Sequence, residues 1–275
     1  MAITAADVAK LRKMTGAGMM DCKKALEEAN GDFDRANDII REKGKLVAAK
    51  RADREANEGA VLAKTDNNNK FGAVITLNCE TDFVAKNADF VALAQSILDI
   101  AINQKPKTVE ELKTLKLNKS TVGETIVEQI GVIGEKLDLS YYQFIESEYV
   151  IGYTHNGNKL ASIVAFNNTS IDENVAKNIA MQVAAMAPIA VDTQDVSSEI
   201  IDRERSVAIE KAKNEGKPDK LLDKIAEGRI HKFLQESTLL NQEYWSEVKI
   251  TVREYLDKNA KGIGVTAFKR FSLND

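Results

Sequence analysis

Histidine and cysteine are scarce in this sequence, which has two of each among 275 residues. His155 and His231 are too few for a histidine-rich metal site or a histidine-based catalytic triad. Cys22 and Cys79 lie far apart and form no motif, which favours free thiols in a reducing cytoplasm. Gly16-Ala17-Gly18 is not a phosphate-binding loop, because no Gly-Lys-Ser/Thr follows it. We therefore predict a cytoplasmic protein with no cofactor, no metal and no enzymatic reaction.

Long apolar runs and a strong charge imbalance are also missing. No stretch of 18 or more apolar residues occurs, and the N-terminus lacks the form of a signal peptide, so no membrane span is expected. The net charge is −4 with both signs well mixed, which argues against direct binding to nucleic acid. Residues 41–54 are a basic exception. We interpret them chiefly as a solvated linker helix, with an electrostatic docking strip as the alternative.

The N-terminal segment carries the pattern of three short helices. Thr4 is placed to cap the first helix, Gly16 to end it, and Asp32 to cap the third. Apolar residues recur at helical spacing in each segment. We predict a three-helix domain over residues 1–44, followed by a basic linker helix over residues 45–57.

An internal repeat organises the middle of the chain. Residues 70–78 (KFGAVITLN) resemble residues 159–167 (KLASIVAFN), and each segment follows a turn-forming cluster and an earlier strand-like run. Each predicted hairpin leads into an apolar helix, which it needs because a two-stranded hairpin cannot bury its own apolar face. We predict two related hairpin-plus-helix lobes, residues 58–148 and residues 149–195, the second completed by residues 237–275.

A helical hairpin and a final strand are predicted in the last third of the chain. Residues 196–236 indicate two amphipathic helices with a break at Gly216-Lys217-Pro218, which is typical of a projecting, antiparallel, coiled-coil-like hairpin. Residues 246–256 have the pattern of a strand that runs into a helix, and residues 264–271 that of a last strand. The predicted fold class is α+β, with a three-helix bundle, two related core lobes and the helical hairpin.

One connection in the first copy of the repeat contains an aromatic side chain. Its central residues are Thr81, Asp82, Phe83 and Val84. They lie between a strand and a helix that Asn87 is suited to cap. Large apolar side chains are mostly buried, so the first interpretation is that Phe83 folds back onto its own core. The alternative is a contact offered to a partner, because connections often carry function.

The second copy of the repeat bears on this choice. It has residues 168–173 at the corresponding place, with no aromatic side chain among them. Ile171 is the candidate for any packing role that the two connections share. The difference favours a partner contact for Phe83.

Two motifs carry a resemblance to a known family. The segment Thr81–Val84 after an Asn-Cys strand end, and the segment Thr15–Leu26 (TGAGMMDCKKAL), resemble the signature sequences of the elongation factor Ts family. The resemblance runs from residue 1 to about residue 271, with the predicted units in the family's order. Many bacterial members continue into a C-terminal helical module, whereas this sequence stops at Asp275, so contacts of that module are not carried over. Gln182 stands where members of the family have histidine.

The resemblance implies a function and a set of contacts. Members are guanine-nucleotide exchange factors for elongation factor Tu, which they bind in its GDP-bound and nucleotide-free states, without covalent chemistry of their own. The resemblance implies an N-terminal domain similar to ubiquitin-associated domains, which docks on the partner's nucleotide-binding domain. It implies that Thr81–Val84 intrudes near the partner's magnesium and nucleotide. It also implies partner contacts at His155, Met19, Met20 and Leu11, and allows a complex with two copies of each factor.

Overall fold

The structure is a computed structural model that describes residues 3–247 and 249–275. Its helices are α1 (Ala5–Thr15), α2 (Met19–Glu28), α3 (Phe33–Arg51), α4 (Asp82–Ala85), α5 (Ala88–Gln104), α6 (Val109–Thr114), α7 (Val122–Ile133), α8 (Glu173–Met186), α9 (Ser198–Asn214), α10 (Asp219–Ser237) and α11 (Val252–Asn259). Its strands are β1 (Glu58–Thr65), β2 (Phe71–Cys79), β3 (Lys116–Leu117), β4 (Ser120–Thr121), β5 (Asp138–Glu146), β6 (Tyr149–Thr154), β7 (Leu160–Phe166) and β8 (Val265–Ser272). This mixture of helices and small antiparallel sheets confirms the α+β class. Within the described ranges, no helix is both long enough and apolar enough to cross a membrane.

The first three helices form a small bundle with the predicted caps. Thr4 accepts the amide of Asp7 at the start of α1, Gly16 ends α1 at a positive φ of 72°, and Asp32 accepts the amide of Arg35 at the start of α3. The bundle encloses a core that includes Val8, Leu11, Cys22, Ala25, Leu26 and Ala36. Its likeness to ubiquitin-associated domains stays a prediction.

Helix α3 extends from this bundle towards the first sheet, and the non-helical residues 52–57 connect its end to β1. It continues from Phe33 to Arg51, through the boundary predicted at residue 44. It crosses α7 so closely that a Cβ added at Gly131 would lie 2.6 Å from the Cα of Gly44. The Arg41 guanidinium pairs with Glu128 of α7 at 2.9 Å. The interpretation of residues 41–54 as a solvated linker is therefore wrong for the face of α3 that packs on α7.

Two three-stranded antiparallel sheets, with orders β1-β2-β5 and β6-β7-β8, follow the internal repeat. The numbers of equivalent residues differ by 89 throughout the hairpins, as between Lys70 and Lys159. The turn asparagines Asn69 and Asn158 obey this offset and have similar positive φ values of 52° and 57°. Each central strand also has a break in register with its third strand at the equivalent place, after Thr76 in β2 and after Ala165 in β7.

The two sheets pack face to face with approximate twofold symmetry. The amide of Val61 in β1 donates to the carbonyl of Asn158 at 2.7 Å, and the amide of Val150 in β6 donates to the carbonyl of Asn69 at 2.6 Å. The offset of 89 relates these two hydrogen bonds to each other. Between the sheets lies an apolar layer formed by Val61, Val74, Ile145, Val150, Ala161, Ile163 and Ala165.

Helices cover the outer face of each sheet. Helices α5, α6 and α7 close the core of the first lobe, and α8 and α11 close that of the second. In the second lobe, the segment before α11 differs from its prediction. Residues 246–251 form no strand among the residues that the structure describes. They contribute only a bridge between Glu243 and Thr251, and Val248 lies outside the described residues.

Helices α9 and α10 form an antiparallel pair, joined by a turn at Gly216 (φ 71°). Small and branched side chains line their contact, namely Ala208, Ala212, Leu222, Ala226 and Ile230. Arg229 crosses from α10 to the carbonyl of Ala208 at 3.1 Å and to the carboxylate of Glu215 at 2.9 Å. The division of the chain into domains at the predicted boundaries stays a prediction.

Candidate partner-binding site

The connection between β2 and α5 contains a single helical turn, α4. Thr81 caps this turn, since its side-chain oxygen accepts the amide of Val84 at 3.4 Å. Asn87 caps α5 by accepting the amide of Asp89 at 2.8 Å, as predicted. The aromatic residue is thus presented by a short helix that lies between two N-caps, its own at Thr81 and that of α5 at Asn87.

Phe83 is the most exposed of the large apolar side chains in the described residues, with 83% of its surface accessible. Its two successors in α4 point the other way, because Ala85 is buried in the first-lobe core and Val84 packs against that core. The interpretation in which Phe83 folds back onto its own core is therefore wrong. One turn of helix is anchored through Val84 and Ala85 and leaves the aromatic ring in solvent.

A reciprocal pair of carboxylates fixes the start of the connection. The Glu135 carboxylate accepts the amide of Thr81 at 3.0 Å and its hydroxyl at 2.7 Å. In return, the Glu80 carboxylate accepts the amide of Lys136 at 2.6 Å and the guanidinium of Arg51 at 2.7 Å. The Lys136 amide and the Arg51 guanidinium hold the pKa of Glu80 below its ordinary value. Glu80 is therefore charged at neutral pH and ties the connection to the end of α3.

The charged and thiol groups beside Phe83 have defined states. The ammonium of Lys86 donates to Asp82 at 2.6 Å, and this hydrogen bond lowers the pKa of Asp82. Burial, together with the carboxylates of Glu135 and Glu58, raises the pKa of the Cys79 thiol to about 12. Cys79 is therefore a protonated, buried thiol, and Asp82 is a solvent-facing carboxylate paired with one lysine.

His155 lies in the hairpin turn of the second lobe, and its side chain is exposed. The hydroxyl of Tyr153 lies 2.8 Å from Nδ1 of His155. The equivalent residue of the first lobe is Asp66, whose carboxylate is turned inward and accepts the amides of Lys70 and Phe71 at 2.9 and 3.2 Å. His155 also borders a groove of about 430 Å³ between the lobes, lined by Leu62, Lys64, Gln95, Asp99 and Thr154 among others.

The predicted contacts in the N-terminal bundle divide into exposed and buried residues. Met19 and Met20 are 44% and 64% exposed at the start of α2, beside the Gly16-Ala17-Gly18 turn. Leu11, in contrast, is fully buried in the bundle core. Its prediction as a partner contact needs correction, because a leucine with no accessible surface packs its own domain together.

Comparison with known proteins decides the family. The family model described as "Elongation factor TS" matches residues 80–275, a range that begins at the connection carrying Phe83. The chain is 51% identical to the elongation factor Ts of Porphyromonas gingivalis (strain ATCC 33277), with 100% of this chain and 99% of that protein covered. It is 48% identical to the elongation factor Ts of Amoebophilus asiaticus (strain 5a2), with 98% of each covered. The chain belongs to the elongation factor Ts family. It is therefore a translation elongation factor.

Sequence reasoning missed the residues that hold the connection of this elongation factor Ts family member in place. Glu135 and Lys136 lie more than fifty residues from Thr81 in the sequence, in a segment without a recognisable motif. They reach the site because α7 ends beside the carboxyl end of β2, where β5 begins. Only the antiparallel pairing of β2 with β5, which the sequence pattern did not predict, would have brought them into view.

Gln182, for which a departure from the family pattern stays a prediction, is a fully buried residue of the second lobe. Its amide group donates to Gln242 at 3.1 Å and to the carbonyl of Glu243 at 3.2 Å, and its oxygen accepts the amide of Trp245 at 2.9 Å. These three bonds fix the segment that precedes α11. Gln182 therefore has a structural role, because it holds this segment against α8. The sequence alone did not indicate that role.

Proposed function

We propose that this chain promotes the release of GDP from elongation factor Tu by inserting Thr81–Val84 near the partner's magnesium and nucleotide. The observation that carries the proposal is the exposed Phe83 on a capped and anchored helical turn. A solvent-facing phenylalanine at a fixed position is typical of a side chain that becomes buried in a partner. The family to which the chain belongs supports the same partner.

The energetics of exchange follow from linkage between two ligands. A factor that accelerates release binds nucleotide-free elongation factor Tu more tightly than the GDP-bound form, so that GDP and the factor weaken each other's binding equally. Burial of one phenylalanine contributes roughly 1.5–3 kcal/mol. Because ~1.4 kcal/mol is tenfold in affinity, Phe83 supplies one to two decades of the coupling. A wider docking surface supplies the rest.

The other residues of the connection take supporting roles in this proposal. Phe83 wedges between helices of the partner and displaces the groups that hold magnesium. Asp82 places a negative charge beside that site, since its lowered pKa keeps it ionised at neutral pH. Thr81 caps the turn, and Val84 attaches it to the first-lobe core.

Two further surfaces complete the proposed docking. Met19 and Met20 are exposed on the N-terminal bundle, and methionine suits an adaptable apolar contact. His155 provides a contact from the second lobe, where it borders the groove between the lobes. We leave Leu11 out of the docking surface because it is buried. The mechanism requires no covalent step and no cofactor of the chain itself.

A nucleotide-release measurement tests the proposal. Elongation factor Tu loaded with fluorescent GDP is mixed with excess unlabelled GDP, with and without substoichiometric amounts of the chain. We expect the chain to accelerate release and to act repeatedly. Binding to elongation factor Tu without faster release would contradict the proposal and would favour a docking protein that acts through its helical bundle and hairpin.

A further inference from the structure

The turn that carries Phe83 is held by a residue that takes no part in the predicted contact segment. Both polar hydrogens of Thr81, on its amide and its hydroxyl, are directed to the Glu135 carboxylate. Thr81 is the cap of α4, so its position determines the direction of the helical turn. Glu135 therefore acts on Phe83 through the cap and not through contact with the ring.

The equivalent residue in the second lobe shows what this connection would do without a distant acceptor. Ser170 is the counterpart of Thr81 under the offset of 89. Its amide and its hydroxyl both donate to Asn168, two residues earlier in the same loop. That loop is fixed by packing instead, because Ile171 is buried in the second-lobe core. In the first lobe the aromatic residue is exposed, and the connection is held instead by the carboxylate of Glu135, which is distant in sequence.

The support behind Glu135 makes the cap rigid. Gly134 ends α7 at a φ of 80°, so the chain turns sharply just before Glu135. The next residue, Lys136, donates its amide to Glu80 and its ammonium to the carbonyls of Ala52 and Arg54 at 2.8 and 2.9 Å. The α7–β5 turn is thus held from both sides, against the connection and against the end of α3.

We propose that Glu135 is a positioning residue for nucleotide exchange, which holds the α4 turn so that Phe83 is oriented before the partner arrives. This inference rests on the proposed exchange function. Hydrogen bonds to a charged acceptor are stronger than those between neutral groups. A contact residue that is already oriented binds without losing further conformational freedom.

A double-mutant cycle separates positioning from general stabilisation. Glu135→Gln keeps the size of the side chain and removes its charge. We expect this variant to reduce the acceleration of GDP release by about tenfold, which corresponds to ~1.4 kcal/mol. In a Phe83→Ala background, the same substitution should produce no further reduction.

The matched control is Glu124→Gln, which removes a carboxylate that caps the other end of α7 by accepting the amide of Thr121 at 2.8 Å. Release should be unchanged in that variant.

Each outcome of the cycle has one meaning. A tenfold loss from Glu135→Gln that persists in the Phe83→Ala background would overturn the positioning role. Unchanged release in Glu135→Gln, with slower release in Phe83→Ala, would overturn the inference and leave the proposed function standing. Unchanged release in Phe83→Ala would instead refute the proposed insertion. If Glu135→Gln lowers the folded fraction by circular dichroism, Glu80→Gln provides a second test, with the same expected dependence on Phe83.

Discussion

The two strand-to-helix connections of the repeat begin at equivalent strands and end at equivalent helices, yet they place their large apolar residue in opposite environments. Phe83 in the first connection is 83% exposed, whereas Ile171 in the second is 6% exposed. The offset between the lobes is 89 at the strands but falls to 85 at the helix caps Asn87 and Asp172. The first connection is therefore four residues longer, which is the length of α4. The added helical turn places Phe83 in solvent, whereas the second lobe packs Ile171 into its core.

The hairpin turns show the same division in the other direction. Asp66 in the first lobe binds its own turn and accepts the ammonium of Lys105 at 3.3 Å. Its counterpart His155 in the second lobe is left on the surface. The first lobe therefore uses its hairpin-turn residue Asp66 for folding and exposes Phe83 of its connection. The second lobe does the reverse, because Ile171 of its connection is buried and the turn residue His155 is exposed. The comparison teaches that, within the repeat, the candidate contacts Phe83 and His155 lie where one copy departs from its sister.

The largest expected effect concerns stability and the two connections. Ile171→Ala should lower the free energy of unfolding by about 2–5 kcal/mol, because it leaves a cavity in the second-lobe core. Phe83→Ala should change it by less than about 0.5 kcal/mol, because the ring is exposed. Urea unfolding followed by circular dichroism measures both. Equal losses in the two variants would contradict the division between packing and presentation.

A smaller effect is expected from the turn residues, and it depends on pH. Burial raises the pKa of Asp66, but the amides of Lys70 and Phe71, together with Lys105, outweigh it and lower the pKa below the ordinary value. Asp66 therefore stabilises the folded state above its unfolded-state pKa of about 3.9, and this contribution is lost as the pH falls through the lower, folded-state value. Asp66→Asn should lower the free energy of unfolding by about 1 kcal/mol at pH 7.

Urea titrations at a series of pH values check this expectation. The difference between wild type and Asp66→Asn should be constant near neutral pH and should shrink as the pH falls below about 4. His155→Asn is the control at the equivalent position, and it should leave the free energy of unfolding unchanged because the histidine is exposed. A difference for Asp66→Asn that does not change with pH would show that the carboxylate's charge is irrelevant to the turn.

Local signals predicted much of the fold, and contacts distant in sequence account for what they missed. Caps such as Thr4, Asp32 and Asn87 act on residues two or three positions away, so the sequence shows both partners. The repeat was visible because its hairpins are also local. The segment from residue 105 to residue 148 gave no comparable signal, although it supplies α6, α7 and the third strand β5.

The candidate site was predicted in part for the same reason. The exposed phenylalanine stood out because the second copy lacks it, but exposure itself had to come from the structure. Leu11 was misplaced among the contacts, because the resemblance implied a contact there and the structure buries this leucine in the bundle core. Glu135 could not be predicted, because its role depends on where α7 ends in space.

The release of fluorescent GDP from elongation factor Tu, measured with wild type and with Phe83→Ala, tests the central claim most directly. Leu46→Ala is the matched control, since Leu46 is another exposed apolar residue, on α3. We predict that Phe83→Ala accelerates release about 10- to 100-fold less than wild type, from the burial of one phenylalanine, and that Leu46→Ala behaves as wild type. Equal acceleration by wild type and Phe83→Ala would show that the exposed ring is not the residue that drives nucleotide release.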